Sequence, residues 1–107
     1  MSDATTPTIP VEVLEQVQPN GTLVDVREAR EYVDAHVPGA VLMPMGQLPS
    51  RLAELDRAKP VFVICASGNR SAAMTDVLRA QGLEAYSVTG GTSAWQHSGR
   101  PVEGGFR

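Results

Sequence analysis

Cys65 is the single cysteine among 107 residues. The stretch that follows it, Ala66-Ser67-Gly68-Asn69-Arg70-Ser71, is the part of the chain best suited to chemistry. A lone cysteine forms no disulfide within its own chain and cannot build a structural zinc site by itself. It is either an inert core residue or a reactive thiol, and its surroundings decide. Ala66, Ser67, Gly68 and Asn69 are small or tolerant of unusual backbone angles, so the segment can curl and turn successive N–H groups inward as an anion cradle. A helix starting directly afterwards adds its positive end. Both effects favour a thiolate, and such settings bring a cysteine from a pKa near 8.5 down to roughly 3.5–7.5. The same cradle would hold an oxyanion or the terminal sulfur of a persulfide. Arg70 is the cation of the segment and faces either the anion or a carboxylate such as Asp25 or Glu31. Ser71 can cap the helix, donate to the thiolate, or do both.

Other polar candidates read as structural. His36 sits in a Val-Pro-Gly turn and is expected to hydrogen-bond backbone, and His97 is expected in solvent. Two distant histidines and one cysteine make no metal cluster, and nothing in the pattern calls for a cofactor. Asp25 and Arg27 follow an apolar strand, which suits a structural ion pair. Met43, Met45, Met74 and Trp95 read as core or pocket wall, with Gly90 and Gly91 expected to let Trp95 pack closely. The Gly104-Gly105 pair is followed by Phe106 and Arg107, so it is no terminal Gly-Gly sulfur-carrier tail.

The elements that must position Cys65 follow from hydrophobic periodicity. Val11, Val13, Leu14 and Val17 have helical spacing, with Pro10 at a first helical position. Leu23 to Val26 and Ala40 to Met43 read as strands, separated by one or two helical turns over Glu28 to Ala35. Ser50 can cap a helix through Leu52 and Leu55. Val61-Phe62-Val63-Ile64, with no polar break, suits the middle of a parallel sheet. Arg70 to Gln81 puts Ala73, Met74, Val77 and Leu78 on one helical face, and Gly82 stands where a helix C-terminal glycine belongs. Ala85 to Val88 is a further strand, and Gly90-Gly91 opens a last helix. Short apolar strands alternating with helices mean an α/β fold with a central parallel sheet and right-handed crossovers. In such sheets ligands bind beyond the carboxyl ends of the strands, which is where Ile64 gives way to Cys65.

Size and charge narrow the function further. The length supports one core and one domain, read as a tail over 1–7, the domain over 8–103 and a short tail over 104–107. Nine basic against 12 acidic residues leave a net charge of −3, which speaks against nucleic-acid binding by phosphate neutralisation. No apolar run approaches the roughly 20 residues of a membrane span. Met1 to Pro7 lack the cationic and apolar regions of a signal peptide, so a cytoplasmic location is expected.

Several separated stretches together resemble the rhodanese (thiosulfate sulfurtransferase) domain. Leu23-Val24-Asp25-Val26-Arg27-Glu28, with Glu31-Tyr32 and His36-Val37-Pro38-Gly39-Ala40, is similar to that family's first signature. Cys65 to Ser71 is similar to its active-site loop, and Gly90-Gly91-Thr92-Ser93-Ala94-Trp95 to its C-terminal signature. The likeness runs from about Ile9 to Val102. It implies the small rhodanese fold, with helices on both faces of the sheet and Cys65 as the persulfide-forming residue. The expected partners are a small sulfur donor such as thiosulfate and a thiol, cyanide or protein acceptor. Two positions depart from the pattern. Ala35 replaces the glycine that often precedes the signature histidine. Ala66 stands where members efficient with thiosulfate often carry a basic residue. Related phosphatases of the cell-cycle dual-specificity kind place five residues between cysteine and arginine, whereas Ala66 to Asn69 are four, a ring better sized for one sulfur atom than for phosphate. The alternatives to a sulfurtransferase are a sulfur-carrier or partner-docking module and, further off, a phosphatase or arsenate reductase.

Overall fold

Val61-Phe62-Val63-Ile64 are all buried and form the middle strand of a five-stranded sheet in the computed structural model, which describes residues 5–106. In chain order the regular elements are β1 (Thr8–Ile9), α1 (Val11–Val17), β2 (Thr22–Asp25), α2 (Ala29–Asp34), β3 (Val41–Leu42), β4 (Val61–Ile64), α3 (Asn69–Ala80), β5 (Ala85–Val88) and α4 (Gly91–His97). The sheet order is β1-β5-β4-β2-β3, and every pairing is parallel. The parallel α/β architecture read from the sequence is therefore present. Met1 to Ala4 of the expected N-terminal tail, and Arg107 of the C-terminal one, lie outside the described residues. No helix among the described residues is long and apolar enough to cross a membrane.

The period-two alternation of the strands divides the core between the two faces of the sheet. Val24, Val61, Val63, Cys65 and Ala85 face α3, where Met74 and Leu78 cover them together with Met43, Leu48 and Leu55. Leu23, Phe62, Ile64 and Val88 face the other way, against Val11 and Leu14 of α1, Tyr32 of α2 and Trp95 of α4. At about 25 cal/mol per Å² of apolar surface, this two-sided burial is the main force holding the layers together. Helix α3 stops where the sequence suggests. Leu83 N–H donates to Leu78 O (3.1 Å) and Gly82 N–H to Arg79 O (3.0 Å), the paired bonds of a Schellman end. Leu83 and Leu78 also share one core cluster.

Several local expectations are corrected. Strand β1 was not anticipated, since two residues between Pro7 and Pro10 carry no periodic signal. It pairs with β5, and Thr6 beside it donates to Asp76 Oδ1 at 2.7 Å. Pro10 is the N-cap of α1 rather than its first helical residue, and Val13 faces outward at 37% exposure. The strand expected over Ala40 to Met43 is only Val41–Leu42, β3. The helix expected after Ser50 is instead two 3-10 turns, Leu48–Ser50 and Leu52–Glu54. Pro49 lies inside the first, and the Ser50 hydroxyl donates to Gln47 O at 2.8 Å, so it caps nothing. On α3, Ala73 is exposed, and the buried face is Ser71, Met74, Thr75 and Leu78. Ser71, a polar residue on that face, is explained by the site it helps to build.

Candidate active site

Strands β2 and β4 run in register, with Asp25 opposite Ile64, so both end at the level where the chain turns into the Cys65 loop. Cys65 is 1% exposed. Its sulfur receives Gly68 N–H at 3.1 Å and Ser71 N–H at 3.3 Å, and the Ser71 hydroxyl oxygen lies 3.4 Å away. Gly68 makes the curl possible. It is the N-cap of α3 at φ +116°, a left-handed conformation that costs a residue with a Cβ roughly 1–2 kcal/mol. Burial pushes the Cys65 thiol up. The Ser71 hydroxyl, the Ser71 amide and the Gly68 and Ser67 amides outweigh it, and the net effect holds the thiol below its ordinary value. The result is the condition a nucleophilic thiolate requires.

The outer rim of the loop is held by α4. Cys65 O accepts from Thr92 N–H at 2.8 Å, and Ala66 O from Ser93 N–H at 3.0 Å. With these carbonyls held by α4, the Gly68 and Ser71 amides further along the loop reach the sulfur. This approach depends on Gly91, where a Cβ would stand 2.3 Å from Cys65 O and 2.7 Å from Ala66 O. The sequence reading gave Gly90 and Gly91 to the packing of Trp95. The structure instead sets Gly91 against the Cys65 loop, while Trp95 packs in the opposite core layer and donates its indole N–H to Pro101 O at 2.7 Å.

Arg70, whose partner was open between an anion and a carboxylate, meets Glu31. Nη1 and Nη2 lie 2.8 and 3.0 Å from the two carboxylate oxygens. Glu31 also accepts the Glu28 N–H at 3.0 Å, closing the first turn of α2. The Arg70 hydrogen bonds, against a smaller opposing effect of burial and with help from the Glu28 amide, hold the Glu31 carboxyl down at about 2. Beneath them, Asp25 and Arg27 form a buried pair. Arg27 Nε lies 3.0 Å from Oδ1 and Nη2 2.9 Å from Oδ2, and Nη2 also donates to Ala35 O at 2.7 Å. Both charges are thereby compensated, as burial demands.

The structure thus brings Cys65, Gly68 and Ser71 together around one sulfur and sets Arg70 beside them against Glu31. His36 is buried with its ring stacked on Tyr32 at 3.7 Å, and its Nδ1–H meets Tyr32 O at 2.7 Å. His97 is exposed, with Nδ1 at 2.8 Å from Ser93 O. The apolar groove lined by Ile9, Val13, Phe62 and Tyr86 shares no residue with the Cys65 loop and lies at the opposite end of β4. One residue escaped the sequence reading. Ser87 of β5 is 2% exposed and stands with its hydroxyl 2.8 Å from that of Ser71. The signal was present, because Ser87 is in phase with Ala85 and so faces α3, and a polar residue in a strand buried on both faces needs a partner.

Known proteins share this arrangement of elements and much of the sequence. The Bacillus subtilis protein YtwF is 38% identical over 79 residues, covering 74% of this chain and 77% of its own. The thiosulfate sulfurtransferase GlpE of Actinobacillus pleuropneumoniae serotype 3 is 35% identical over 105 residues, 96% of this chain and 97% of its own. The crystal structure of a rhodanese-related protein from Thermoplasma volcanium matches with a TM-score of 0.86 at 34% identity, over 91% of this chain and 97% of that one. The sequence model of the rhodanese-like domain spans residues 10–98, from the N-cap of α1 past the end of α4, and the chain belongs to that family.

Proposed function

We propose that the protein is a sulfurtransferase that carries sulfane sulfur on Cys65. The observation that carries this reading is the convergence of Gly68 N–H, Ser71 N–H and the Ser71 hydroxyl on one buried sulfur. The Cys65 thiolate attacks the outer sulfur of a donor such as thiosulfate or an alkyl persulfide. A Cys65–S bond forms as the donor S–S bond breaks, and its electron pair leaves with sulfite or a thiolate. In the second step an acceptor thiolate or cyanide attacks the outer sulfur of the Cys65 persulfide, and the Cys65 thiolate departs. Sulfur moves as a neutral atom between anions, so no external oxidant or reductant enters, and two-step, ping-pong kinetics follow. The loop amides stabilise both the thiolate and the anionic persulfide.

A phosphatase is disfavoured on two counts. The loop closes on the sulfur itself, and Arg70, the cation that would face a phosphate, is engaged by Glu31. A reactive thiolate stays reduced in the cytoplasm, where we place the protein. Intact-mass measurement after incubation with thiosulfate or an alkyl persulfide tests the reading. We expect a gain of one sulfur atom that cyanide or dithiothreitol removes, and none in Cys65→Ser. Persistent thiocyanate formation by Cys65→Ser would overturn the assignment.

A further inference from the structure

Ser71 has one hydroxyl proton and three groups within reach of its oxygen. Cys65 Sγ lies at 3.4 Å, Gly68 O at 3.1 Å and Ser87 Oγ at 2.8 Å. Both serines are buried, at 0% and 2% exposure. Among the described residues, the Ser87 hydroxyl has Ser71 as its only hydrogen-bond partner.

Counting donors fixes the direction of the bond between them. Gly68 O can only accept, and so can a sulfur anion. If Ser71 gave its proton to Ser87, the anion would lose its hydroxyl donor and the Ser87 proton would have no acceptor. The two hydroxyls, the sulfur and Gly68 O are satisfied together only when Ser87 donates to Ser71 Oγ. With a neutral thiol, Cys65 S–H also donates to Ser71 Oγ, and Ser71 O–H donates to Gly68 O. With an anionic sulfur, Ser71 O–H turns to Sγ.

We infer that Ser87 is a positioning residue for the sulfur anion, its buried hydroxyl donating to Ser71 Oγ so that the single Ser71 proton is kept for Cys65. The inference rests on Cys65 acting as a thiolate. Donation by Ser87 also polarises the Ser71 O–H, by about 10–30% for one added bond in a chain. Strand alternation sets this contact, because Ser87 pairs with Val63 across β5 and β4, and Val63 shares its face with Cys65. Of the charged groups, Arg70 on α3 interacts electrostatically with Cys65 and with Asp25, and it is paired with Glu31 on α2, as Asp25 is with Arg27. Among the described residues none of them hydrogen-bonds to Ser71 or Ser87.

The test is the pH dependence of iodoacetamide alkylation at Cys65, followed by intact mass, in the wild type, Ser87→Ala, Ser71→Ala and the double variant. Ser87→Ala is expected to raise the midpoint by about 0.3–0.6 of a pH unit. Ser71→Ala should raise it further, and adding Ser87→Ala to Ser71→Ala should change nothing more. The isosteric pair Ser87→Thr and Ser87→Val repeats the comparison at constant volume, with only Val raising the midpoint, and serves in place of Ser87→Ala should that variant not fold. An unchanged midpoint on loss of the Ser87 hydroxyl, or an equal shift with Ser71 already removed, overturns the inference. Alkylation reads the thiolate whether or not sulfur is transferred. Absent sulfur uptake alongside the expected shifts would therefore count against the sulfurtransferase reading and leave Ser87 its role.

Discussion

Arg70 and Glu31 meet through both terminal guanidinium nitrogens and both carboxylate oxygens, at 2.8 and 3.0 Å, so the cation of the Cys65 loop is directed at α2 and not at the sulfur. The pair ties the loop to the helix that follows β2. The direct stabilisation of the sulfur is left to uncharged donors, the amides of Gly68 and Ser71 and the Ser71 hydroxyl.

Glu31→Gln tests that tie. Gln keeps an oxygen for the Glu28 N–H but removes the charge facing Arg70. The Glu31 carboxyl is held down at about 2 from an ordinary 4.5. Its contribution to stability is therefore complete above about pH 4.5 and is lost as pH falls toward 2. Both side chains are about a third exposed, and screening limits the contribution to about 1 kcal/mol. Thermal unfolding between pH 2 and pH 5 should show a shallower fall in Tm for Glu31→Gln than for the wild type. Parallel curves would mean that solvent screens the pair completely.

The parallel sheet, the central place of β4 and the Cys65 loop were all legible because each rests on a strong local signal. Four apolar residues ran without a break, and Gly68 sat inside a curl before a helical pattern. What escaped depends on contacts between distant segments. Nothing local to Thr8-Ile9, at the start of the expected domain, marks an edge strand, since its partner Ser87-Val88 lies far along the chain. The role of Gly91 could not be read from its neighbour Trp95, because the clash that only glycine avoids is with Cys65 O. Ser50 misled for the opposite reason. A good capping residue was present, but Pro49 beside it sits in a 3-10 turn that never becomes a helix.

Gly91→Ala should damage the site from the outside. A Cβ there would stand 2.3 Å from Cys65 O, against backbone that cannot swing away, and the residue sits at φ +57°. The left-handed conformation alone costs roughly 1–2 kcal/mol, and the clash adds to it. Displacing α4 would also loosen the Thr92 and Ser93 bonds to Cys65 O and Ala66 O. We expect a Tm lower by several degrees and an alkylation midpoint for Cys65 shifted toward that of a free cysteine. A variant with native Tm and native midpoint would show that α4 does not shape the loop.

Ala66→Arg addresses the choice of donor. Thiosulfate is a dianion, and the direct donors to Cys65 are neutral while Arg70 is held by Glu31. Ala66 is half-buried and its carbonyl is fixed by Ser93 N–H, so a longer side chain would extend from an anchored backbone at the rim of the loop. A cation about 4 Å from the dianion, at an effective dielectric near 20, gains up to about 4 kcal/mol per unit charge, and much less where solvent screens it. That attraction acts on the bound ground state as well as on the transition state. The KM for thiosulfate should fall several-fold with little change in kcat. The gain should shrink as salt rises from 20 mM toward 0.5 M, since the Debye length falls below about 10 Å beyond 0.1 M. An alkyl persulfide, with a single negative charge, should gain less than thiosulfate from the same substitution. Steady-state kinetics with both donors at two ionic strengths decides the matter. An unchanged KM for thiosulfate at low salt would mean that the loop amides already hold the dianion without a cation, and the charge of the donor would then play no part in its selection.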